Sequence, residues 1–155
     1  MSVSDEHCLA LGKCTVAFSE LETWLGAFAW TLISPDQHVG QIVTAEMSFA
    51  RKIDLVSSLF RHICSDAAQR ENLRLLLARL SQLEQERNTV QHSLWVRQSE
   101  DPALATRLKV TARRKHGLAH AREEVTAEPL ERLAQHLDAA VSDFSTFMVT
   151  FLAAR

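Results

Sequence analysis

Apolar residues recur every three or four positions along most of this chain. Steps of three and four place side chains on one face of an α-helix, so the pattern predicts a long first helix. The run Ser34-Pro35-Asp36 predicts the end of that helix, and Gly40 predicts a loop after it. The predicted inner face of the first helix consists of Leu11, Cys14, Phe18, Leu21, Leu25, Phe28 and Leu32.

Three further apolar stripes predict three further helices. The second helix is expected over residues 44–63 and the third over residues 67–92. Thr126 is expected to cap the last helix, whose first turn tolerates Pro129. Four amphipathic helices in succession bury a continuous core, so the sequence predicts an all-α fold, an antiparallel four-helix bundle. Between the third and last helices, Leu94-Trp95-Val96 and residues 108–112 are compatible with a small β-hairpin, although their alternation is weak.

Length and composition restrict the class of protein. A chain of 155 residues is the length of one domain, so residues 1–155 are treated as a single helical domain. With 46% hydrophobic and 23% charged residues, the chain is neither disordered nor collagen-like. Its 4 Gly and 3 Pro are too few for the turns of a many-stranded sandwich.

The sequence also predicts a cytoplasmic protein that does not associate with membranes. Three cysteines without metal-binding spacing indicate a reducing compartment. The N-terminus has Asp5 and Glu6 where a signal peptide would have basic residues. The longest apolar stretch, residues 24–33, is shorter than the roughly 20 residues that span a bilayer.

Charge is distributed unevenly along the chain. Residues 107–122 contain six bases and no acid, whereas the other 11 bases stand against all 19 acids. This asymmetry indicates an anionic partner for the basic segment, or a solvated hairpin whose Lys and Arg side chains protect an edge strand. The six bases are Arg107, Lys109, Arg113, Arg114, Lys115 and Arg122.

One charged residue interrupts the third apolar stripe. Arg87 occupies an inward position where the pattern would place a Leu. Because a guanidinium cannot be neutralised, it needs a carboxylate, a phosphate or an opening to solvent. Glu22 is the first candidate for its carboxylate partner and Glu20 the second. The alternative is an edge position from which Arg87 extends its charged end to solvent.

Asn88 and His92 both follow Arg87 and lie on one helix face near the end of the third helix. Asn88 and His92 are four residues apart, so the amide could orient the imidazole. Arg87 and His92 lie about 140° apart around the helix and about 7.5 Å along it, so one ligand held by both must sit at its side. The alternative for His92 is a favourable interaction with the helix dipole.

The segment Glu86-Arg87-Asn88-Thr89-Val90-Gln91-His92-Ser93-Leu94-Trp95 resembles the signature of the HEPN superfamily (higher eukaryotes and prokaryotes nucleotide-binding domains). That signature is an Arg, a polar residue, a few further positions and a His near the end of a bundle helix. The segments Phe18-Ser19-Glu20-Leu21-Glu22 and Phe49-Ala50-Arg51-Lys52-Ile53-Asp54 are similar to the first and second helices of that group. The resemblance covers essentially the whole chain.

The resemblance implies a metal-independent endoribonuclease of toxin or antiviral-defence type, without a cofactor, that acts as a homodimer with two motifs in an interfacial cleft. His92 would be the general base that removes the 2′-hydroxyl proton, and Arg87 would hold the scissile phosphate. Asn88 would orient His92 or bind the phosphate, and Glu22 would pair with Arg87. The product would carry a 2′,3′-cyclic phosphate, and the basic segment would bind the RNA backbone.

The resemblance also implies an antitoxin or a defence-system protein as a partner. Some toxins of the family carry a Tyr two residues after the His, which a partner nucleotidyltransferase modifies. Leu94 occupies that position and the chain contains no Tyr, so that form of neutralisation is excluded.

Two alternatives remain open at this point. The first is a catalytically silent helical dimerisation or interaction module, in which Arg87 and Glu22 form a structural ion pair. The second is a metal site in a helical bundle, which the scattered histidines disfavour. His116 and His120 alone share a spacing of four, and the inward Glu-x-x-His pairs of di-iron bundles are missing.

Overall fold

The computed structural model describes residues 3–97, 100–101, 103–113 and 117–154. This part of the chain is mostly helical and carries a small antiparallel sheet, which confirms the predicted helical character. The described residues contain five helices, so the predicted antiparallel bundle of four helices is not confirmed. The elements are α1 (Asp5–Ile33), α2 (Gln37–Thr44), α3 (Phe49–Ile63), α4 (Ala67–Gln91), β1 (Leu94–Val96), β2 (Ala105–Arg113), β3 (Gly117–Val125) and α5 (Glu128–Ala153).

The additional helix α2 corrects the prediction for the segment after α1. The carboxylate of Asp36 accepts a hydrogen bond from the His38 amide at 3.0 Å, and this cap begins the helix. Gly40 lies inside α2 and not in a loop. A Cβ at this position would stand 2.5 Å from Cα of Trp30, so glycine is needed for α2 to approach α1. The predicted second helix, residues 44–63, is therefore divided between the end of α2 and α3.

The two longest helices after α1 follow their predicted positions closely. The side chain of Asp66 caps α4 by accepting from the amides of Ala68 and Gln69 at 2.8 and 3.1 Å. Thr126 does not cap α5, because the N-cap residue is Ala127, which offers no side-chain acceptor. Pro129 lies in the first turn of α5, as predicted.

The core lies between α1, α3, α4 and α5, where the predicted apolar stripes meet. Its centre is an aromatic cluster around Phe28, which is fully buried. The ring of Phe28 contacts four other Phe rings with centroids about 6 Å apart. These rings belong to Phe60, Phe144, Phe147 and Phe151.

The sheet contains the predicted pairing and one further strand. Leu94 of β1 pairs with Leu108 of β2, in agreement with the expected hairpin. The unpredicted β3 pairs along the whole of β2, so the strand order is β1-β2-β3. Nearly all of β3 is exposed, which explains why it shows no apolar alternation.

The buried His7 attaches the sheet to the helices. Its Nε2 donates to the carbonyl oxygen of Val125 at 2.9 Å, and its Nδ1 lies 2.7 Å from Oγ of Ser4. The Trp95 indole donates to the carbonyl oxygen of Val90 at 3.0 Å. These contacts place the sheet beside the C-terminal end of α4. None of the helices in the described ranges has the length and apolar character needed to cross a membrane.

Candidate functional site at the end of helix α4

Arg87 is a half-buried cation that forms no ion pair with a carboxylate of the described residues. Its Cζ lies 4.4 Å from the centroid of the Phe18 ring, in a cation–π contact between α4 and α1. Nη1 donates to Oδ1 of Asn88 at 3.0 Å, and this acceptor is neutral. Nε is buried and has no hydrogen-bond partner. The guanidinium therefore retains donor capacity that the described residues do not use.

The expected ion pair between Glu22 and Arg87 is not formed. Oε1 of Glu22 lies 3.4 Å from Nζ of Lys52, which comes from α3. The side chain of Lys52 is only 15% exposed, so its ammonium group is poorly hydrated. It therefore pairs with the carboxylate of Glu22 on α1. Glu20, the second candidate, is exposed and also makes no ion pair with Arg87 in the described part of the chain.

Glu84 is a member of this site that the sequence analysis missed. Burial raises the pKa of its carboxyl, and the charge of Glu22 acts in the same direction. A hydrogen bond from Asn88 and the charge of Arg87 lower that pKa by less. Glu84 precedes Asn88 by four residues, so their shared helix face was the signal that could have revealed it.

We expect Glu84→Gln to leave the protein at least as stable as the wild type at pH 7. A raised pKa means that folding disfavours the charged form, so stability is lost as the pH rises above the ordinary Glu value. The Gln variant keeps a partner for Asn88 and avoids this loss. Denaturant unfolding at pH 7 and at about pH 4 checks the result, because the advantage should vanish where Glu84 is protonated.

The control for this variant is Glu86→Gln, which changes an exposed carboxylate two residues further along α4. It should alter stability equally little at both pH values. A Glu84→Gln protein that is clearly less stable at pH 7 would show that the charge of Glu84 supports Arg87.

His92 is exposed at the C-cap of α4. Its backbone amide donates to the carbonyl oxygen of Asn88 at 3.2 Å. The expected contact between the Asn88 side chain and the imidazole is absent, because that side chain bonds to Arg87 and Glu84. Within one chain, Arg87 is directed towards α1 while His92 faces solvent, so the structure does not join them in one pocket.

In the described residues, the predicted basic segment contributes to β2 and β3. Arg107 pairs with Glu123 across the two strands, and Nζ of Lys109 donates to Oγ1 of Thr89 at 3.0 Å. Arg122 is exposed on β3. Two of the bases are thus engaged within the chain. The side chains of Arg113, Arg114 and Lys115 lie outside the described residues.

A cleft of about 400 Å³ lies on the other side of α4, between this helix, the sheet and the start of α5. Trp95 and Val125 contribute apolar surface, and the Arg107–Glu123 pair contributes polar groups. Trp95 offers an aromatic ring of the kind on which unpaired bases stack.

No three His, Cys, Asp or Glu side chains in the described ranges cluster as metal ligands would.

Comparisons with known proteins identify no relative, so the interpretation of this site depends on its own residues. No protein-family model matches the chain, and no curated protein or solved structure matches it either.

Proposed function

We propose that this protein is a metal-independent endoribonuclease that acts as a homodimer on RNA in the cytoplasm, in a toxin or antiviral-defence role. The observation that supports the proposal is the unused hydrogen-bonding capacity of Arg87. Among the described residues, its half-buried guanidinium donates to the neutral amide of Asn88, and its buried Nε has no hydrogen-bond partner. An anionic ligand such as a phosphate would accept hydrogen bonds from the remaining guanidinium N–H groups and would pair with their charge.

The chemistry follows from the side chains at the end of α4. His92 takes the proton from a ribose 2′-hydroxyl, and the resulting alkoxide attacks the adjacent phosphorus. Arg87 stabilises the negative charge that develops on the phosphate oxygens. The bond to the 5′-oxygen of the next nucleotide breaks, that oxygen takes up the proton that His92 removed, and a 2′,3′-cyclic phosphate remains. Exposure of His92 leaves its ring accessible to such a substrate.

Other residues bind and position the RNA in this proposal. Asn88 keeps the guanidinium in place through its bond to Nη1 and can turn its amide to a phosphate. Lys109 and Arg122 attract the RNA backbone, together with Arg113, Arg114 and Lys115 of the same segment. An unpaired base stacks on Trp95 beside the cleft.

The test is incubation of the purified protein with mixed cellular RNA in EDTA, followed by analysis of the new RNA ends. We expect cleavage that persists in EDTA and leaves cyclic-phosphate ends. Arg87→Ala should be inert, whereas Arg74→Ala, which removes an exposed Arg of the same helix, should cleave normally. Circular dichroism of both variants verifies that each remains folded.

A second candidate function is that of a catalytically silent helical interaction module. Its partner would be an antitoxin or a defence-system protein. This second function is favoured by the contacts in which Arg87 donates to Asn88 and Asn88 bonds to Glu84, which resemble a structural network more than an open site. Absence of cleavage by the folded wild-type protein would overturn the ribonuclease proposal and leave this one.

A further inference from the structure

Helix α1 carries an exposed seam without charged residues. Its members are spaced by alternating steps of three and four, the spacing at which two helices pack against each other. Leu9 is 59% exposed and Val16 is 70% exposed, which is unusual for apolar side chains on a helix that contributes so much of the core. The seam, named here the α1 seam, consists of Leu9, Gly12, Val16, Ser19 and Thr23.

The polar members of the α1 seam need no outside partner. The hydroxyl of Ser19 donates to the carbonyl oxygen of Thr15 at 2.9 Å, and that of Thr23 donates to the carbonyl oxygen of Ser19 at the same distance. Since both hydroxyl protons are used within α1, another helix could cover these residues without stranding a donor. The seam therefore combines apolar side chains with polar groups that are already satisfied.

Gly12 has no role in packing within its own chain. A Cβ at this position would have no atom of the described residues within 4 Å. Glycine inside a helix lowers helix stability relative to alanine, so its presence is unexplained by the monomer. Close approach of a second helix is a condition under which a missing side chain is useful, in the way that Gly40 admits Trp30 within this chain.

The charged residues beside the α1 seam would be complementary between two copies of the helix. Lys13 and Glu20 lie on the same flank, both are exposed, and neither forms an ion pair in the described residues. They are two helical turns apart and cannot reach each other within one helix. In an antiparallel pair of α1 helices, with a two-fold axis between Val16 and Ala17, Lys13 of each copy faces Glu20 of the other.

We propose that a second copy of this chain covers the α1 seam as an antiparallel partner. The inference rests on the proposed function, because it identifies the surface through which the two catalytic motifs would meet. Arg87 packs over Phe18, and Gln91 accepts a hydrogen bond from Thr15 at 3.0 Å, so α4 runs beside α1 at the level of the two-fold axis. The pairing therefore places Arg87 of each copy at the same level along the paired α1 helices.

The test is sedimentation equilibrium of the full chain without RNA. We expect a dimer, and we expect Val16→Arg to weaken its Kd by about tenfold or more, because two unpaired cations would enter an apolar contact. Val149→Arg is the matched control, since Val149 is 57% exposed on α5, and it should leave the Kd unchanged. Circular dichroism verifies the fold of both variants.

A charge exchange tests the orientation. Lys13→Glu and Glu20→Lys should each weaken the dimer about fivefold, and the double variant should recover the wild-type Kd within about twofold. Because the two residues cannot pair within one helix, recovery requires contact between copies. A wild-type monomer, a Val16→Arg dimer as tight as that of Val149→Arg, or a double variant as weak as the single ones would each overturn the inference.

These outcomes are separable from those of the ribonuclease test. A monomer that still cleaves RNA in EDTA would reject the α1 seam and the homodimer but retain the ribonuclease activity. A dimer that Val16→Arg dissociates and that never cleaves RNA would retain the seam and reject the function.

Discussion

His92→Ala is expected to reduce RNA cleavage by about 100-fold or more, the usual contribution of a general base. The imidazole is exposed and forms no hydrogen bond in the described residues, so its removal should not disturb the fold. Initial rates on a short labelled RNA, measured in EDTA, check this result. The unfolding midpoint should remain that of the wild type.

His62→Ala is the control for this variant. His62 is also exposed and also lies in the last turn of a helix, α3, but far along the chain from the Arg87 site. The His62→Ala variant should cleave RNA at the wild-type rate. If His92→Ala retained full activity in the same assay, the proton would have to be taken by another group and the proposed mechanism would be wrong.

Phe28→Ala is expected to destabilise the protein by about 3–5 kcal/mol, the range for removing a buried aromatic ring. Phe28 is fully buried, and its ring contacts Phe60, Phe144 and Phe151 from two different helices. The surrounding helices cannot all move inward to fill the cavity. Urea unfolding followed by circular dichroism measures the loss, which is a large share of the stability of a typical domain.

Leu75→Ala is the comparison for this measurement. Leu75 is 55% exposed on α4, so its truncation should change the free energy of unfolding by less than about 0.5 kcal/mol. A Phe28→Ala protein that loses no more than Leu75→Ala would mean that the aromatic cluster is not the centre of the core.

The long helices could be predicted because burial acts on them in a regular way. One face is buried along most of α1 and α5, and between Leu73 and Leu83 in α4, so apolar residues recur there with the period of the helix. Helix α2 gives no such signal, since it is short and buries only Gly40 and Thr44. Gly40 was interpreted as a loop residue, whereas it allows close contact with Trp30, which only the tertiary structure reveals.

The candidate site was predictable in its position but not in its contacts. Arg87 stands out in a stripe of apolar residues, and Asn88 and His92 follow from helical spacing. Which carboxylate approaches Arg87 depends on competition among charges from different helices. Lys52 of α3 takes Glu22, and Glu84 comes close instead, so the pairing could not be read from one helix at a time.

The bond from His7 to Val125 joins residues that are 118 positions apart in the chain. A contact of this kind closes most of the polypeptide into a loop. Loop closure lowers the entropy of the chain, and the contact stabilises the fold only by the amount that exceeds this cost. We therefore expect the sheet to reach its place late in folding, after the helices have assembled. The strand that bears Lys109 would then be the last part of the molecule to become ordered beside Thr89, and the first to detach when α1 frays.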